Sequence, residues 1–199
     1  MTRLSPEARA LVSPAATFRA LGSRQGSGAW LLARRPIALL VGIGSTVSIL
    51  AAGRLTARLV VDGAISFAFV PLFEIAALAI VVRRIPRRVR FAHAVDLLFA
   101  ANGPWIVWML AVSALASAVS PDEVPRWTAR PRLWAVEAAT AATILWFVRI
   151  QFHVFRDALG RSRADAARDV ALQRAVAWSA STLYFFGIAL WPLVLGMLR

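Results

Sequence analysis

An all-α integral membrane bundle of five transmembrane helices, N-terminus cytoplasmic and C-terminus outside, is the fold that this sequence predicts. Three observations predict it. Of 199 residues, 59% are hydrophobic and only 17% are charged, against about 25% charged in an average soluble domain. Mean hydropathy is +0.66, and the apolar residues fall in long runs without turn signals, a helical rather than a strand pattern. All 23 basic residues are Arg, since the chain has no Lys, and they are spread unevenly between the apolar runs.

The elements follow in order. Residues 1–35 form a cytoplasmic N-terminal segment. Arg3, Arg9, Arg19 and Arg24 interrupt it, so it does not read as a secretory signal. Ser5-Pro6 and Ser13-Pro14 each place an N-cap residue before a proline at the first helical position. Two short interfacial helices are expected, with Arg toward anionic lipid. Residues 36–198 form the membrane domain. A hydrocarbon core of ~30 Å needs ~20 apolar residues at 1.5 Å each. The runs at 36–52, 59–82, 96–119, 133–153 and 174–198 meet or approach that length.

Five spans put the N-terminal segment and the second and fourth loops on one side. That side collects seventeen Arg, including Arg83, Arg84 and Arg174, and the other collects six. Basic residues accumulate on the cytoplasmic side, which orients the chain and suggests a bacterial cytoplasmic membrane. A net charge of +13 is thereby assigned to anionic lipid at the cytoplasmic face rather than to nucleic acid.

Polar residues within the runs are the candidate sites. Glu74 lies inside the second run. A carboxylate at bilayer depth costs roughly 2.5–3.5 kcal/mol on insertion scales, so it must face the bundle, be protonated or find a partner. Nearby Pro71 loosens the same helix. Asp62 and Glu137 begin their spans, where a helix N-terminus favours acids. Asn102-Gly103-Pro104 interrupts the third run, and Pro104 removes a backbone hydrogen bond there. Such breaks are tolerated where protein or a cavity covers them. His93 with Asp96, and His153 with Asp157, are spaced three and four apart on one helix face. They are weak candidates for a divalent metal. Gly44 with Ser48, Ser113 with Ser117, and Ala135, Ala138, Ala139 and Ala142 are spaced for close helix association. With no Cys there is no disulfide, Cys-ligated metal or thiol nucleophile. No HExxH, GxSxG, P-loop or GxGxxG motif occurs. No cofactor and no catalytic residue are inferred.

Some segments carry a resemblance. Ser13-Pro14-Ala15-Ala16-Thr17-Phe18-Arg19-Ala20-Leu21, Phe91 to Ala94 before a third span with internal Pro104, and Trp146, Gln151 and Phe155 are three of them. Leu159-Gly160-Arg161-Ser162, followed by Ala166, is the fourth. Together they resemble the Yip (Ypt-interacting-protein) family of five-span membrane proteins, in its prokaryotic form. The resemblance implies an interaction or scaffold protein that works through a membrane-protein partner or a second copy of itself, with no catalytic residues to transfer. Two rivals stand beside it. One is a small-molecule or ion transporter or permeation subunit using Glu74 and the Asn102-Gly103-Pro104 break. The other is a metal-dependent membrane enzyme.

Overall fold

The computed structural model describes residues 5–23, 28–85, 89–118 and 131–197. All regular structure among them is helical. Two short helices open the chain, α1 (Pro6–Val12) and α2 (Pro14–Gly22). The Ser5 hydroxyl accepts from the Ala8 amide at 3.2 Å, capping α1 as its sequence predicts. Ser13 holds the cap position of α2 without a side-chain bond. These helices bury Ala10, Thr17 and Phe18 against the bundle, and Phe18 is fully enclosed.

After a 3-10 turn at Ala29–Leu32 come α3 (Arg34–Ala52), α4 (Ala57–Ser66) and α5 (Phe69–Val82). The α3–α4 turn uses Gly53 at φ 65°, a left-handed conformation that suits glycine. Ser48 braces it, accepting from the Thr56 amide and donating to the Arg54 carbonyl, both at 2.9 Å. Gly44 and Gly63 let the two helices meet backbone to backbone: a Cβ on Gly44 would sit 2.1 Å from the Val60 carbonyl oxygen. The Gly44–Ser48 pair thus packs inside the chain.

The second apolar run is broken at Phe67–Ala68, four and three residues before Pro71. Proline has no N–H to give the carbonyl of residue i−4, so the helix restarts there. The third run is α6 (Phe91–Ala100) and α7 (Gly103–Ala118), bent by 41° at the predicted break. Then come α8 (Pro131–His153), a π-helical turn (Val154–Ala158) and α9 (Arg163–Met197). Three helical segments are long and apolar enough to cross a membrane, Ala29–Ala52, Ala57–Val82 and Leu133–Ala158, and the bent pair makes a fourth if it is one span. These are the helices of a membrane protein. α9 begins at Arg163, well before the predicted start at 174, so Arg163, Arg168 and Arg174 are helical rather than loop residues.

The densest packing lies where α5, α6, the end of α8 and the start of α9 converge, on Leu78, Val81, Val95, Leu98, Ile150 and Val154. α2 seats against the π-helical turn, and a Cβ on Gly22 would meet the Ala158 backbone at 2.6 Å. Several residues that carry the family resemblance, including Phe18, Phe155 and Ala166, are fully buried in this region.

Candidate functional site: a charged cavity between the helices

α5 and α9 pack along each other, and each presents one stripe to the interior. On α5 it holds Val70, Glu74, Ala77, Leu78 and Val81; on α9, Val170, Arg174, Ala177 and Ser181, with the exposed Trp178 at its edge. These spacings of three and four follow the helical repeat. The aromatic cluster Phe69, Phe73 and Tyr184 pins the same two helices, with centroids of Phe69 and Tyr184 4.7 Å apart.

Glu74 finds its partners on α9. Its Oε1 accepts from Nη1 of Arg174 at 2.6 Å, and its Oε2 accepts from Nε2 of Gln173 at 2.5 Å and from Nη2 of Arg174. Nε of Arg174 donates to Oε1 of Gln173 at 2.5 Å. Arg174 is 4% exposed and Gln173 fully buried. The guanidinium also lies 4.8 Å from the ring centroid of Phe147 and 5.5 Å from that of Trp178, a cation–π arrangement. The charge near mid-span is therefore met by a bidentate, hydrogen-bonded pair, the geometry a buried ion pair needs to offset its desolvation.

The pair does not close the space around it. A cavity of about 270 Å³ remains, lined by Glu74, Arg174, Asn102, Trp105, Trp178 and Ser181, with apolar walls from Leu39, Ile43, Val70, Met109 and Phe147. Asn102, at the α6–α7 bend, is mostly buried, and Gly103 and Pro104 beside it are buried too. Glu74 and Asn102, selected from separate runs, thus meet at one site. Arg174, Gln173 and Trp178 complete it and escape a reading by charge count. A sequence signal did exist: Glu74 is the only acid between Asp62 and Asp96, and Arg174 the only base between Arg168 and Arg199. The stretches 63–82 and 170–198 each hold one charge, Glu74 and Arg174, of opposite sign, and pairing them satisfies burial.

The other candidates lie elsewhere. Asp62 is exposed and sits 3.7 Å from Arg58 on its own helix; Glu137 is exposed on α8. The Asp96 carboxylate is held by Nε and Nη2 of Arg34, both at 2.5 Å, and by Arg35. Arg35 also donates to the Asp96 carbonyl at 3.0 Å and to Oε1 of Glu7 at 2.9 and 2.7 Å. His93 stands beside this network with a buried Nε2 that has no protein partner. Nδ1 of His153 lies 2.6 Å from Oδ2 of Asp157. Among the described residues no three potential metal ligands of the His, Cys, Asp or Glu type gather; the two predicted pairs stay apart.

The Glu7 bridge ties α1 to the start of α3. Burial acts to raise the Glu7 carboxyl, but the hydrogen bond with its own backbone and the Arg35 guanidinium outweigh it and hold Glu7 below its usual value of 4.5. A depressed acid contributes stability above its unfolded value and loses it as pH falls through the folded one. Rate-corrected amide protection in α1 should therefore be higher in wild type than in Glu7→Gln at neutral pH. The two should converge as pH drops below 4.5.

Compared with models of known families, with curated proteins and with solved structures, the chain finds no match.

Proposed function

We propose that this is a five-span protein of a bacterial cytoplasmic membrane, N-terminus inside, that binds a small polar solute in the Glu74–Arg174 cavity and passes it across the bilayer. One observation carries the reading: a charged and hydrogen-bonding group, a helix break and open volume coincide inside a bundle of apolar helices. A structural ion pair alone needs neither the volume nor the break. Interrupted helices and intramembrane charge are the means by which transporters present polar groups to a solute at depth. In this scheme Glu74 supplies the negative charge, Arg174 holds it in place, and Asn102 offers an amide to the solute. The test is flux in proteoliposomes under an imposed pH gradient, for protons and for a panel of small polar solutes. Wild type should give pH-dependent flux that Glu74→Gln abolishes. Equal flux in both proteins, or none in either, contradicts the proposal.

A second reading is the Yip-like scaffold. Ala135, Ala138, Ala139 and Ala142 are exposed along α8, a small-residue surface suited to another helix. It predicts a partner or a second copy that survives mild detergent, and cross-linking between cysteines placed at Ala138 would support it.

A further inference from the structure

We infer that a groove between α8 and α9 is a binding site for an anionic glycerophospholipid. The groove measures about 460 Å³ and is distinct from the Glu74 cavity, with Arg174 and Trp178 in the wall between them. Leu145, Val148, Arg149 and Phe152 form one side on α8, spaced as a single helical face, with Val170 and Trp178 opposite on α9.

Three observations select the occupant. The walls are apolar and belong to a helix long enough to cross a membrane, of whose length little is buried, so a hydrocarbon chain fits them. Arg149 is exposed in the groove, and no carboxylate among the described residues pairs with it. It lies nine residues before Ala158, the end of the spanning segment, and seven before the exposed Arg156, two turns on along the same helical face, and its long side chain lets the charge snorkel toward that end. Arg156 is also exposed, and its guanidinium stands 6.0 Å from the Phe152 ring. Two cations thus flank the aromatic residue at one end of an apolar channel. An anionic phosphodiester with acyl chains matches that arrangement; a zwitterionic lipid places its own cation among the arginines.

The full chain, reconstituted in vesicles, can be probed with brominated phosphatidylglycerol or brominated phosphatidylcholine. Bromine quenches nearby tryptophan, and the difference between wild type and Trp178→Phe isolates the groove. The Trp178 component should give a relative association constant of about fivefold in favour of phosphatidylglycerol, the size of one basic residue's attraction to an anionic headgroup. Arg149→Gln should lower it, Arg149→Gln combined with Arg156→Gln should bring it to parity, and Arg149→Lys should keep most of it while serving as the folded control. A wild-type ratio of one, a preference that survives the double Arg149→Gln, Arg156→Gln variant, or quenching by phosphatidylglycerol that Trp178→Phe leaves unchanged would overturn the assignment.

Discussion

Glu74→Gln should destabilise the protein by about 3 kcal/mol, because it strands a buried guanidinium whose counter-charge is gone. For a chain of this length that is an apparent Tm lower by roughly 6–12 °C, read by tryptophan fluorescence or circular dichroism in detergent. Arg174→Met should cost a similar amount by stranding the carboxylate. The double variant, Glu74→Gln with Arg174→Met, should recover most of the loss, since replacing a whole buried pair with neutral groups is often near neutral. Single losses that simply add would show that the two side chains do not act as a pair. The cycle also separates stability from function: the double variant is expected to be folded and inactive in flux.

The second large effect concerns close packing. Gly44→Ala would place its Cβ 2.1 Å from the Val60 carbonyl oxygen and 3.1 Å from the Ala64 amide nitrogen. These are backbone atoms of α4 and cannot rotate aside, so the hairpin must open. The cost should reach about 3 kcal/mol, the upper end for overpacking, even after the roughly 1 kcal/mol that alanine gains in helix propensity. Gly42→Ala, two residues away on α3, is the matched control. Its Cβ meets only the flexible end of Met109, at 3.1 Å from Cε. That variant should be neutral or slightly stabilising. A Tm for Gly44→Ala equal to that of Gly42→Ala would refute the backbone contact.

What the sequence discloses, and what it hides, follows from the range of each interaction. The helices are legible because their apolar runs are long and local. The break at Asn102-Gly103-Pro104 is legible because proline acts on its own backbone; at Pro71 the same rule puts the interruption one turn earlier, at Phe67–Ala68. Glu74 stands out because an acid in an apolar run is costly wherever it points. Arg174 stands out only as the single base between Arg168 and Arg199, not as a buried partner. It follows a polar, Arg-bearing stretch that reads as loop but is the first part of α9. Arg34 and Arg35 likewise read as topology charges, whereas the packing of α6 and α1 against the start of α3 gives them Asp96 and Glu7. Pairings across 62 or 100 residues depend on how helices assemble, which no local pattern encodes.

The central claim is that the Glu74–Arg174 cavity admits a polar solute within the bundle, and cysteine reactivity tests it most directly. The chain contains no cysteine, so each introduced thiol reports alone. Ser181 lines the cavity, whereas Leu183, two residues along α9, is 74% exposed on another face. In reconstituted vesicles Ser181→Cys should react with a small hydrophilic thiol reagent, which requires water and a thiolate, and Leu183→Cys, which faces lipid if α9 is the proposed fifth span, should stay inert. Failure of Ser181→Cys to react faster than Leu183→Cys would contradict the account.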